Sequence, residues 1–190
     1  MTFDNPNGTL FWITGLAGAG KSTIASALRK RLLDQSLKSI MIDGDCMREV
    51  LQMAGRHGIE DRRWLAWSYA RMGRLFSMQG HIVVCATISP FPEIRTWLRE
   101  NVPNYIEIFV RVCQETLAQR DQKSIYSLRA SNQITEVVGI DIAFETPAHP
   151  DLVIANEPDT DPNQHAISIV EYWLNRLQTS SLKDMETKND

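Results

Sequence analysis

Eight residues, Gly15-Leu16-Ala17-Gly18-Ala19-Gly20-Lys21-Ser22, restrict this chain more than any other stretch. They match G-x-x-x-x-G-K-S, and the flanking residues supply the context that this spacing requires. Before it, Thr9-Leu10-Phe11-Trp12-Ile13-Thr14 is a short apolar run that reads as a buried strand. After it, Ile24, Leu28, Leu32 and Leu33 fall near helical spacing, which predicts a helix over Lys21–Gln35. Glycines let the backbone curl so that its N–H groups converge on anionic oxygens. The helix N-terminus adds a favourable dipole. On this reading Gly15, Gly18, Ala19, Gly20, Lys21, Ser22 and Thr23 form a nucleoside-triphosphate cradle. Lys21 reaches the β- and γ-phosphates and Ser22 ligates Mg²⁺.

The rest of the chain alternates in the same way. Strands are expected at Ser39–Ile42, His81–Thr87, Tyr105–Val112 and Asp151–Ala155. Helices are expected at Cys46–Ala54, Asp61–Gln79, Pro92–Asn101, Gln114–Arg120 and His165–Leu177. Residues 121–150 read as mixed, with Gly139 and Pro147 as breakers. Short apolar strands between helices predict an α/β fold, a mostly parallel five-stranded sheet covered on both faces. The organisation expected is a short tail over residues 1–8, one domain over 9–178 and a disordered polar tail over 179–190. Ligands of such sheets bind beyond the carboxyl ends of the strands. Gly15, Asp43 and Ser89 each follow a strand, so one edge of the sheet collects three candidate segments.

Bulk properties narrow the partners. The 190 residues carry a net charge of −3, which provides no overall basic field for nucleic acid. An acidic small molecule remains acceptable, since it needs only a local positive site. Three widely spaced cysteines suggest neither a disulfide framework nor a zinc site. No long apolar run predicts a membrane span, and the polar N-terminus has no leader pattern, so the expected location is the cytoplasm.

Asp43-Gly44-Asp45 follows the second strand and precedes a helix. One carboxylate there can hold Mg²⁺, with Ser22 and Asp43 as the metal ligands. Another can accept a proton from an attacking hydroxyl. The same residues equally suit a helix cap and turn, and the sequence leaves both roles open. Arg48, one turn on, shares Asp45's side and can pair with an anionic substrate.

The loop continued to Thr23, followed by Asp43-Gly44-Asp45-x-x-Arg48, resembles the adenylyl-sulfate kinases. Asp61-Arg62, Ile88-Ser89-Pro90 with Arg95, Arg120-Asp121-x-Lys123-x-x-Tyr126, and Gly139-Ile140-Asp141 with Glu145-x-Pro147 agree in order and spacing. The resemblance covers Leu10 to Ala155. It implies a three-layer P-loop kinase fold, with ATP and Mg²⁺ as cofactors, a small nucleotide as substrate and a homodimer as assembly. It also implies transfer of the γ-phosphate to the ribose 3′-hydroxyl of adenylyl sulfate. Lys21, Asp43, Asp45, Lys123 and Ser89 would form the catalytic group. Asp45, Arg48, His57, Arg62, Ile88, Ser89, Lys123 and Val137 would contact the acceptor. Ser89 stands where the family has a serine labelled as a phosphoserine intermediate. Direct in-line transfer needs only positioning and charge stabilisation, and a serine at a strand end can simply bond substrate.

The departures from the family cluster on the acceptor side. Two phenylalanines that sandwich the adenine are replaced here by His57 and Val137. The family's Asp-Arg-x-x-Asn-x-Arg becomes Asp61-Arg62-Arg63-Trp64-Leu65-Ala66-Trp67. Stacking on an aromatic ring is worth about 1–3 kcal/mol per base. A second reading is therefore a relative acting on another activated nucleotide, such as cytidine diphosphoramidate in surface-polysaccharide modification. Proteins of that group look similar around Val84–Ser89 and Val137–Asp141. A third reading is a non-catalytic ATP-binding regulator, which would not require the acceptor-side charges.

Overall fold

The computed structural model describes residues 8–121 and 124–186, with side chains as far as residue 179. The elements are, in order, β1 (Thr9–Thr14), α1 (Lys21–Asp34), β2 (Ser39–Asp43), α2 (Gly44–Val50), α3 (Ile59–Ser77) and β3 (Ile82–Ala86). They continue with α4 (Pro92–Asn101), β4 (Tyr105–Arg111), α5 (Gln114–Arg120), α6 (Ile125–Ala130), β5 (Leu152–Ala155) and α7 (Pro162–Glu186). The sheet runs β2-β3-β1-β4-β5. Each of its four pairings is parallel, so the expected "mostly parallel" sheet is parallel throughout.

Period-two alternation along β1 divides the core. Phe11 and Ile13 join Leu28 of α1 and Ile169 and Trp173 of α7 on one face. Leu10 and Trp12 join Leu65 and Tyr69 of α3 and Ile94 and Leu98 of α4 on the other. Trp173 meets Phe11 edge-on at 5.7 Å and donates its indole N–H to Thr9 Oγ1 at 3.0 Å. Burying an aromatic side chain in this way stabilises by about 2–3 kcal/mol, which fixes α7 against the sheet.

Boundaries shift where capping overrides periodicity. Helix α2 begins at Gly44, ahead of the expected Cys46, because the Asp43 carboxylate accepts from the backbone N–H of Asp45 and Cys46. Helix α6 lies in the stretch read as mixed. Its six residues are too few to show a period, and the Asp121 carboxylate holds its start by accepting from Tyr126 N at 2.7 Å. Helix α7 runs to Glu186, well past the expected end at Leu177. Cys113 looks buried by its position after β4 but is exposed at the start of α5. Trp67 and Trp97 meet edge-on at 5.4 Å, whereas Trp64 is 52% exposed. Among the described residues, no helix is long and apolar enough to cross a membrane.

Candidate active site

The turn after β1 is shaped from behind. Tyr126 donates its hydroxyl to Ala17 O at 3.0 Å, and Arg120 donates to Gly18 O at 3.2 Å. Asn156, just after β5, donates to Ala19 O at 2.8 Å, and Ile24 N closes on Gly20 O at 3.0 Å. Leu16 O takes Ala19 N and the Lys21 ammonium, the latter at 2.7 Å. With successive carbonyls drawn to these donors, the loop's N–H groups other than that of Ala19 can face a ligand, which is how such loops bind anions. Gly20 has φ 89° and lies against the Asn156 side chain, so a Cβ there would be strained and blocked. Gly15 passes so close to β4 that a Cβ would meet Val110 O at 2.5 Å.

Beyond the strand ends lies a cavity of about 420 Å³. Gly18, Gly20, Lys21, Ser22 and Thr23 line one end, and Asp43, Asp45 and Arg48 come from β2 and α2. His57, Arg62, Ile88, Ser89 and Val137 line the rest. Gly15 and Ala19 do not line it; Ala19 is buried in the core and supports the loop from beneath. Lys123 falls outside the described residues.

Asp43 makes the helix cap that the sequence allows and keeps its second oxygen for Ser22. Its Oδ1 caps α2, while its Oδ2 accepts the Ser22 hydroxyl at 2.7 Å. Two adjacent hard oxygens of this kind would hold a cation such as Mg²⁺, which would supply positive charge beside the phosphates. Among the described residues, no larger His, Cys, Asp or Glu cluster gathers to hold a metal. Burial pushes the Lys21 ammonium down to about 8, with Asp43 and then Asp45 pulling it back up.

The other end has a different character. Arg62 donates to His57 O at 2.7 Å and to Glu136 O at 3.2 Å, so one guanidinium ties together the segments carrying His57 and Val137. Burial lowers Arg62 below its ordinary value, and neighbouring Arg48 lowers it further. This pair is the local positive field that a net-acidic protein needs for an anionic substrate. Arg48 itself donates to Arg56 O at 2.6 Å. His57 is exposed, and Val137 is buried with its N–H on Asp141 Oδ2 at 3.0 Å. Ser89 Oγ is fully buried and has no hydrogen-bond partner among the described residues. A nucleophilic serine needs a base within hydrogen-bonding reach, so this geometry favours a wall residue over a covalent intermediate.

Sequence reasoning left out Tyr69, Leu128, Ile134 and Thr135, which also line the cavity. Tyr69 was legible: it sits one turn after Leu65 on the same face of α3. Its hydroxyl donates to Gly44 O at 3.2 Å, and burial pushes it up to about 12, which keeps it a donor at neutral pH. Ile134 and Thr135 lie between α6 and Val137, where no period marks them.

Comparison with known proteins identifies the family. The family model described as adenylylsulphate kinase matches residues 7–155. A cytidine diphosphoramidate kinase of Campylobacter jejuni is 39% identical over 153 residues, covering 79% of this chain and 87% of that protein. An adenylyl-sulfate kinase of Pseudomonas aeruginosa is 37% identical over 165 residues, covering 86% and 84%. The structure of the Mycobacterium tuberculosis APS kinase in complex with AMPPNP and APS superposes with a TM-score of 0.80 at 28% identity, covering 88% of this chain and 98% of that one. Sequence, fold and site geometry thus converge, and the chain is a phosphotransferase that belongs to the adenylylsulphate kinase family.

Proposed function

We propose that the chain transfers the γ-phosphate of Mg-ATP to a ribose hydroxyl of an activated nucleotide, with adenylyl sulfate as acceptor. One observation carries this reading: Lys21 and the Ser22–Asp43 pair share a cavity with Asp45, Arg48 and Arg62. Phosphoryl transfer needs positioning and charge stabilisation, and that cavity offers both. Lys21 stabilises the transferring phosphoryl oxygens. Ser22 and Asp43 would hold Mg²⁺, which neutralises developing charge when bound. Asp43 has one oxygen on the α2 cap and the other on Ser22, so the role of proton acceptor for the hydroxyl falls to Asp45. Arg48, Arg62 and, by family resemblance, Lys123 take the acceptor's charged groups. Use of ATP as donor fits the cytoplasmic location expected from the sequence.

A second reading, a cytidine nucleotide as acceptor, has its own support. Leu65 is 1% exposed and Val137 is 5% exposed at the base end, and neither supplies a ring or a hydrogen bond from its side chain. A pyrimidine depends less on a two-ring clamp than a purine does. The Campylobacter relative acts, by its name, on such a nucleotide. The test is purified protein with Mg-ATP and a panel of adenylyl sulfate and cytidine diphosphates, scored by product mass, with Lys21→Ala as the blank. Adenylyl sulfate should stimulate ATP turnover well above the cytidine compounds. Preference for a cytidine nucleotide replaces the first reading with the second.

A further inference from the structure

The β3–α4 turn, Thr87–Pro90, forms one wall of the acceptor end, yet its own side chains do little to hold it. Ser89 Oγ is unpartnered among the described residues. The near end of the turn is tied to β1, where Thr87 N donates to Ile13 O at 3.0 Å and Thr14 Oγ1 to Ile88 O at 3.4 Å; its far end is held by Arg95, one turn into α4 and only 5% exposed. Arg95 Nη1 donates to Ser89 O at 3.1 Å, and its Nη2 donates to Glu145 O at 2.9 Å. Its Nε stands 3.1 Å from Glu107 Oε1 on β4, a charge pair in which that oxygen receives no well-aligned hydrogen bond. Glu107 is in turn paired with Arg99 at 2.9 Å, and Arg99 with Asp151 at 3.1 Å. Arg176 of α7 closes the chain on Asp151 at 2.7 Å.

This arrangement does more than neutralise a buried charge. A planar guanidinium offers donors in fixed directions, and here they reach three separate pieces of backbone and sheet. One is the turn at the acceptor wall. Another is the segment carrying Glu145, in the connection between α6 and β5 that also contains Gly139. That connection approaches the phosphate turn, since a Cβ at Gly139 would meet Leu16 Cδ2 at 2.7 Å. The third is Glu107 on β4, the strand between central β1 and edge strand β5. Arg95 reaches neither Lys21 nor the Ser22–Asp43 pair in any of these contacts.

We infer that Arg95 is a positioning residue for the acceptor: it fixes the Thr87–Pro90 wall to the sheet and to the Glu145 loop, and so sets acceptor affinity while leaving ATP binding alone. This rests on the reading of the cavity as a kinase site whose acceptor lies against that turn. Lysine keeps the charge beside Glu107 but cannot hold both carbonyls in a plane.

The experiment compares wild type with Arg95→Lys in three measurements. These are KM for the acceptor that the panel identifies, KM for ATP, and amide hydrogen exchange of the ligand-free protein. The expected result is an acceptor KM raised about tenfold, an ATP KM changed less than about twofold, and kcat nearly kept. Exchange should quicken in residues 87–90 and 143–147 and stay unchanged in residues 15–22. Parallel rises in both KM values, or faster exchange spread over the whole sheet, would overturn the inference. If no acceptor is turned over by wild type, the functional reading fails, and the exchange pattern still decides whether Arg95 fixes these segments. If Arg95→Lys does not fold, the pair Arg95→Gln with Glu107→Gln removes both buried charges together and carries the same readouts.

Discussion

The phosphate end of the cavity is a backbone device, and the acceptor end is a side-chain device. Around Leu16–Gly20, carbonyls are drawn back by Tyr126, Arg120, Asn156 and helix α1, which on the proposed function leaves main-chain N–H groups to meet the phosphates. Around His57, Leu65 and Val137, the surface comes from two segments distant in sequence, residues 57–65 and the stretch carrying Val137, held together by Arg62. A backbone device tolerates few sequences, because only glycine permits its turns. A side-chain device can be re-specified by changing a handful of residues without touching the fold. That difference explains how two relatives of similar identity carry names with different acceptors.

The largest effect expected from breaking the phosphate end is at Asp43. Asparagine caps a helix as well as aspartate does, so Asp43→Asn should keep α2 and shift Tm by no more than about 2 °C. It removes the charge facing Ser22, however, and kcat should fall about 100-fold with Mg-ATP. Steady-state kinetics beside a thermal melt separates the two roles. A large fall in Tm with little change in kcat would show that Asp43 only caps.

A smaller effect is expected from pH at the same end. Burial holds the free-protein Lys21 ammonium at about 8. Below that value Lys21 is charged and meets the polyphosphate with no proton exchange. Above it the free protein has lost the proton, and binding must take one up. Nucleotide affinity should therefore weaken about tenfold between about pH 7 and pH 9. Calorimetry at pH 9 in buffers of different ionisation enthalpy should show uptake of about one proton per nucleotide bound. No uptake would mean that Lys21 keeps an ordinary ammonium.

The same contrast governs what was legible in the sequence. Gly15 to Ser22 could be read because the chemistry fixes each type and spacing, and the strand and helix flanking it carry strong periods. The sheet was legible for the same reason: Phe11 and Ile13 against Leu10 and Trp12 already show its two faces. Asn156 and Arg120 were not recognised as the loop's supports, since contacts across 137 and 102 residues leave no local pattern. Helix α6 was missed because the Asp121 carboxylate, rather than any period, starts it. At the acceptor end His57, Arg62 and Val137 were named from the sequence and line the cavity, but Tyr69, Leu128, Ile134 and Thr135 were not named, and that Arg62 binds backbone on both sides of the cavity follows only from the fold.

The smallest effect sharpens the comparison from the acceptor side. His57 is exposed at the cavity, so His57→Phe should cost little in packing. Placing one ring there should recover part of an aromatic clamp, worth about 1 kcal/mol for a single partial stack. That predicts an acceptor KM about fivefold lower for adenylyl sulfate, a weaker gain for a cytidine nucleotide with its smaller ring, and no change in KM for ATP. Val137 is the wrong place to begin, because it is 5% exposed and a larger ring there would overpack. If His57→Phe lowers KM equally for both bases, the ring is adding apolar surface without discriminating between them. Acceptor choice would then rest on the charges of Arg48 and Arg62 and on the wall that Arg95 holds.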